Sequence, residues 1–138
     1  MDHHILVVDD APDWREMLAG LIADVYPMFT VITVASLEEA KRQLARYKFE
    51  LAIIDIRLDE SDEDNTDGLD LTEYIKVNYN EIRVLIITSY ANLDTVKRAL
   101  QPTPSGLRLA ADYVEKDKLT YELLPRISAI LGESATDA

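Results

Sequence analysis

Three short apolar runs and a fourth, mixed stretch, each halted by a polar or charged residue, constrain this chain more than any other feature. Ile5-Leu6-Val7-Val8 stops at Asp9-Asp10, and Leu51-Ala52-Ile53-Ile54 stops at Asp55. Val84-Leu85-Ile86-Ile87 stops at Thr88-Ser89, and Ala111 to Val114 runs into Glu115-Lys116-Asp117. A β-branched stretch, Thr30 to Val34, reads as one further strand. Strands that are apolar on both faces fit a parallel sheet covered by helices on each side. An acid at a strand end is also an ordinary turn residue, because its side chain bonds the next backbone amides. No single strand end therefore decides what the chain does.

Helical periodicity fills the intervals. Trp14, Met17, Leu18, Leu21, Ile22 and Val25 recur on one face, with Pro12 suited to the first turn and Pro27 to the stop. Ser36 to Glu39 reads as a capping box ahead of Leu37, Ala40, Leu44 and Tyr47. Asp59 to Asp67 holds six acids in nine residues and reads as a solvated loop, closed by Gly68. Leu69, Leu71, Thr72 and Ile75 then suggest a third helix, and Leu93, Val96, Lys97 and Leu100 a short fourth. The last helix spans Leu119 to Leu131, with Gly132 as its cap and Pro125 expected to kink it or delay its start. A polar tail, Glu133 to Ala138, follows and is expected to fray. Five strands alternate with five helices in one domain, residues 1–132, with 133–138 as the tail.

Composition narrows the function classes. Of 138 residues 48% are hydrophobic, as in a chain that closes one core. No apolar run is long enough to span a bilayer, and Ile5 to Val8 is too short for a signal-peptide core. The absence of cysteine rules out disulfides and thiolate metal sites and is compatible with the cytoplasm. Twenty-six acids against 14 bases leave a net charge of -12, which repels nucleic-acid backbones and favours cations and basic partners.

In an open parallel sheet, ligands bind beyond the carboxyl ends of the strands, where the strand order reverses. With the order 2-1-3-4-5, strands one and three are neighbours at that point. Asp9, Asp10 and Asp55 then converge, and Thr88 and Lys116 arrive from the other side. Three adjacent acids call for a cation, and an all-oxygen set suits Mg²⁺ or Mn²⁺. A carboxylate nucleophile, a divalent ion and donors for phosphoryl oxygens are the parts that phosphoryl transfer needs.

The segments "ILVVDD", "LAIIDIRL", "DGLDL", "VLIITSYA" and "ADYVEK", in this order, resemble the receiver domain of two-component response regulators. The resemblance covers about residues 4 to 132. It implies the flavodoxin-like, doubly wound α/β fold with five parallel strands in the order 2-1-3-4-5. It implies that Asp55 accepts a phosphoryl group from a phosphohistidine on a sensor histidine kinase or phosphotransfer protein. Asp10 would bind Mg²⁺ directly and Asp9 through water, with Asp55 and the carbonyl of Arg57 completing the protein ligands. Thr88 and Lys116 would grip phosphoryl oxygens. Tyr113 matches the family's aromatic switch, which turns inward behind Thr88; it also reads as a half-buried aromatic on an edge strand. Arg57 and Tyr90 occupy positions that border the phosphoryl group and tune its lifetime, and their bulk predicts slow autodephosphorylation. The resemblance further implies that helix four, strand five and helix five form the surface that dimerises or meets an output partner or domain.

Three features depart from the family pattern. The acidic loop is about five residues longer and lacks the family's proline after Leu58. It reads as a solvated loop or as a recruiter of cations or a basic partner, but with Glu63 first and Tyr74 twelfth it is not an EF-hand. The segment Gln101 to Leu109 adds about six residues before strand five, which puts the usual dimer in question. Asp117 follows Lys116 where the family has proline, so the reach of Lys116 is open. Two other classes compete with the phosphorylatable switch, which would at most phosphorylate and dephosphorylate itself. One is an interaction module with this fold that works without phosphorylation. The other is a hydrolase or flavin-binding relative, and the Asp9-Asp10-Ala11 loop supplies neither an Asp-x-Asp pair nor a phosphate cradle. Neither the sensor kinase nor the output can be read from the chain, which is open to being a stand-alone receiver or part of a longer protein.

Overall fold

The computed structural model describes residues 3–58, 65–88, 93–102, 104 and 109–136. The elements are β1 (His3–Val8), α1 (Pro12–Val25), β2 (Phe29–Val34), α2 (Leu37–Arg46) and β3 (Phe49–Asp55), followed by α3 (Asp67–Asn78), β4 (Arg83–Thr88) and α4 (Leu93–Leu100). β5 (Asp112–Glu115) runs through a short 3-10 turn, Lys116–Lys118, into α5 (Leu119–Thr136). The sheet order is β2-β1-β3-β4-β5 and the paired strands are all parallel. The parallel sheet covered on both sides that the apolar runs call for, and the doubly wound order that the resemblance implies, are therefore the fold observed.

Strand alternation divides the core into two layers. Leu6, Val8, Ala52, Ile54, Val84 and Ile86 face α2, α3 and α4, whose Leu44, Leu71, Ile75 and Val96 cover them. Ile5, Val7, Ile53, Leu85, Ile87 and Val114 face α1 and α5, covered by Leu18, Ile22, Leu123 and Ile127. β1, β3 and β4 are buried on both faces, and a one-residue slip would exchange the side chains of the two layers. Val8 pairs with Ile54 and Asp55 with Ile87, so the polar residues that follow lie along one edge.

The helix ends follow local chemistry. Ser36 Oγ accepts from the Glu39 amide at 3.2 Å, and Glu39 Oε2 accepts from the Ala35 amide at 3.0 Å, so the capping box forms with its return bond one residue early. Two expectations need correction. Gly132 does not cap the last helix, which continues to Thr136. A Cβ there would meet nothing within 4 Å, and no left-handed turn calls on the glycine. Pro125 does not delay α5, which starts at Leu119. Pro125 and Tyr121, whose carbonyl loses its helical donor, are both exposed, so water can satisfy that oxygen. Gly68, expected to close the acidic loop, lies buried in the first turn of α3. Most of that loop, residues 59–64, lies outside the described residues, as do 103 and 105–108 of the segment before β5.

Candidate functional site

The carboxyl edge of the sheet gathers the polar strand ends. Asp55 closes β3 at 3% exposure, and Asp9, one residue past β1, is fully buried. Asp10 follows it, half-buried. One carboxylate oxygen from each of Asp9, Asp10 and Asp55 lies within 4.8 Å of the others. Lys116 enters from the turn after β5, its Nζ donating to Asp55 Oδ2 at 2.8 Å and sitting 3.3 Å from Asp9 Oδ2. Its side chain is 13% exposed. Thr88 is buried at the end of β4, and its register partner Glu115 immediately precedes Lys116.

Backbone contacts set the two buried acids. The Arg57 amide donates to Asp55 Oδ1 at 3.2 Å, and the Ala11 amide donates to Asp9 Oδ1 at 2.9 Å. Arg15 Nη1 donates to the Asp9 carbonyl at 2.7 Å, tying β1's exit to α1. Burial pushes the Asp55 carboxyl up to about 6; Lys116 opposes the rise and the charge of Asp9 adds to it. Burial raises Asp9 too, against the Ala11 amide and Lys116. For Lys116, burial alone would lower the value, but the hydrogen bond and charge of Asp55, then those of Asp9, outweigh it and keep the ammonium charged. Buried ionisable groups shifted by burial and a charge partner, at the open end of a sheet, make this cluster the candidate functional site.

The donor set fits a hard divalent cation. It offers carboxylate oxygens only, packed closely enough that their charges repel, and Asp9 Oδ2 is buried with no well-formed hydrogen bond. Arg57 is placed beside the cluster by its amide. Tyr113 is half-buried on the edge strand β5, packed against the α2/α3/α4 layer. Tyr90 lies outside the described residues.

The roles of three residues at the site were not visible in the residue pattern. A Cβ on Gly68 would lie 2.0 Å from the Asp55 carbonyl oxygen and 2.5 Å from Ile56 Cα, so only glycine lets α3 abut the end of β3 there. The Gly68 amide also donates to the Ile56 carbonyl at 3.0 Å. Asn65 Oδ1 accepts from the Leu58 and Asp67 amides at 3.0 and 3.1 Å, stapling the two ends of the acidic loop together. The Trp14 ring lies under Lys116, with Nζ 5.2 Å from its centroid. Asn65 two residues before a helix start is an Asx-turn signal; Trp14 read only as part of an apolar face.

Fold and site together define a doubly wound α/β protein with a lysine-bridged acidic pocket at the switch point of its sheet. Residues 5–127 match the response regulator receiver domain, and the chain belongs to that family. It is 35% identical over 96 residues to the response regulator protein PilR of Pseudomonas aeruginosa, covering 70% of this chain and 20% of that protein. It is 32% identical over 116 residues to the nitrogen assimilation regulatory protein NtrX of Azorhizobium caulinodans, covering 84% of this chain and 23% of that one. The chain thus spans less than a quarter of the length of either relative. Among solved structures, the receiver domain of NtrX from Brucella abortus superposes with a TM-score of 0.75 at 28% identity, covering 93% of this chain and 98% of that one. The response regulator TrrA of Thermotoga maritima, solved with Mg²⁺ and beryllofluoride, shares the fold at a TM-score of 0.74 and 24% identity, covering 95% of this chain and all of that one. Among the described residues no helix is long and apolar enough to cross a membrane.

Proposed function

We propose that this receiver domain is a phosphoacceptor switch in which Asp55 takes a phosphoryl group from a phosphohistidine of a sensor kinase or phosphotransfer protein. The observation that carries the reading is the convergence of one ammonium and three carboxylates: Lys116 Nζ stands 2.8 Å from Asp55 Oδ2, inside an acid cluster drawn within 4.8 Å. Asp55 stays ionised at neutral pH, yet burial makes it more basic than an exposed carboxylate. It attacks phosphorus, the N–P bond breaks, and the electron pair leaves with the imidazole nitrogen. Asp9, Asp10, Asp55 and the Arg57 carbonyl would hold Mg²⁺ or Mn²⁺, which supplies charge neutralisation on the phosphoryl oxygens. Lys116 answers the added negative charge with its ammonium and Thr88 with its hydroxyl.

Thr88 at the end of β4 and Tyr113 on β5 carry the response to the α4/β5/α5 surface, where a second receiver or an output partner or domain would read it. Arg57 and Tyr90 occupy the positions that tune phosphoryl lifetime in the resemblance, and with them slow autodephosphorylation is expected; a lifetime of only seconds with Mg²⁺ present would contradict this part. The proposed role is a cytoplasmic one.

Incubation with Mg²⁺ and acetyl phosphate, followed by intact mass measurement, tests the whole. A phosphate-sized adduct is expected in the wild type and not in Asp55→Asn. An undiminished adduct in Asp55→Asn overturns the assignment. Absence of both an adduct and beryllofluoride binding in the wild type would favour an interaction module that works without phosphorylation.

A further inference from the structure

Trp14 is the protein's single tryptophan. Its ring is half-buried against the α1/α5 layer, where its spacing from Leu18 and Ile22 accounts for it as core. Core packing does not account for its second contact, the Lys116 ammonium 5.2 Å from the ring centroid. That ammonium is the group that bridges Asp55 and Asp9, at 2.8 and 3.3 Å. A cation within about 6 Å of an indole face is attracted by the ring quadrupole, most strongly for tryptophan and more so where water is excluded.

The contacts around Lys116 differ in what can compete for them. A divalent cation bound by Asp9, Asp10 and Asp55 draws on the same carboxylates that hold the ammonium. It has no use for an aromatic face, because hard cations take oxygen ligands. We propose that Trp14 is a positioning residue for phosphoryl transfer: its ring keeps the Lys116 ammonium at the site while the carboxylates are engaged by metal, so that a donor already stands where the phosphoryl oxygen arrives. Trp14 sits in the first turn of α1, which starts at Pro12 and is anchored by the buried Leu18 and Ile22, so the ring is placed by the scaffold and not by the ligand. This rests on Asp55 being the phosphoacceptor.

The test is a double-mutant cycle read by beryllofluoride affinity in the presence of Mg²⁺, followed by fluorine NMR, with intact-mass phosphorylation in parallel. Trp14→Leu is expected to weaken beryllofluoride binding about 3- to 10-fold, the range of one partly desolvated cation–π contact. Trp14→Phe, which keeps an aromatic face and most of the packing, should recover part of that loss. In a Lys116→Met background the Trp14→Leu change should cost nothing further, which a purely structural role would not produce. Wild-type affinity in Trp14→Leu, no recovery in Trp14→Phe, or an equal loss with Lys116→Met would each overturn the proposal while the Asp55 reading stands. A wild type that neither binds beryllofluoride nor gains phosphate would remove that reading and this proposal together.

Discussion

β3 and β5 each deliver one charged group to the site, and they hold it in different ways. β3 is central, seven residues long, paired with β1 and β4, and buried at every position but Glu50. Its exit is clamped: the Ile56 amide donates to Ile87 at 3.1 Å, Ile56's carbonyl accepts from Gly68, and Gly68 packs on the Asp55 carbonyl. β5 is an edge of four residues, paired with β4 alone, with Val114 its one fully buried side chain. Lys116 then sits in a 3-10 turn. The Asp55 carboxylate stands on fixed backbone, and the Lys116 ammonium stands after a short edge strand. The phosphoacceptor switch proposed above would use this asymmetry, because chemistry requires a rigid base and transmission requires an element with two arrangements.

The largest expected effect breaks the rigid side. Gly68→Ala drives a methyl into the backbone of Asp55 and Ile56, which cannot rotate away, so a loss of about 3 kcal/mol or more is expected in urea unfolding. Gly20→Ala, in α1 with open space around it, should instead gain about 0.5–1 kcal/mol. If Gly68→Ala costs under about 1 kcal/mol, β3's exit is not clamped as described.

Next is the charge held on that base. Folded Asp55 binds its proton at about 6 against an ordinary 3.8, so between those values the folded state carries more protons and stability falls as pH rises. Asp9, also raised by burial, acts in the same direction. Asp55→Asn should therefore stabilise the metal-free protein at neutral pH by on the order of 1–3 kcal/mol, the gain shrinking as pH drops from about 6 toward 4. Mg²⁺ should narrow the gap by stabilising the wild type. A gain that grows on acidification would contradict the assignment of burial as the dominant cause.

The two ends of the site were unequally legible in the sequence. Strand ends are marked by an abrupt change from apolar to polar, so Asp9, Asp10, Asp55, Thr88 and Lys116 could be placed along one edge before any coordinates. What pattern cannot show is contact between residues remote in sequence. Trp14 beneath Lys116, Arg126 with Asp112, and His3 with Glu50 each join separate elements. Gly68 was visible as a glycine after a loop, but its purpose depends on how closely α3 approaches β3, which no local signal encodes. Gly132 misled for the converse reason: glycine often caps helices, and here nothing turns the chain.

Asn65 offers a smaller perturbation on the β3 side. Asn65→Ala leaves the Leu58 and Asp67 amides without their shared acceptor, at an expected cost of about 1–2 kcal/mol in denaturant unfolding. Asn65→Asp, which keeps an acceptor, should recover most of it. If both variants match the wild type, water replaces the staple freely.

The smallest effect probes the edge itself. Arg126 Nη1 lies 2.7 Å from Asp112 Oδ2 and Nη2 3.7 Å from Glu122 Oε2, linking α5 to the first residue of β5. The Arg126–Asp112 side chains are 39% and 30% exposed, so Arg126→Ala should change global stability by only about 0.2–1 kcal/mol, less at high salt. Its local effect should be larger than its global one. If β5 opens without the rest of the sheet, the amides of Tyr113 and Val114 will exchange hydrogen faster than those of Ile53 and Ile54 in the wild type. Arg126→Ala should then accelerate the first pair and leave the second unchanged. Should all four amides exchange together, by global unfolding alone, the edge is as firmly held as the centre.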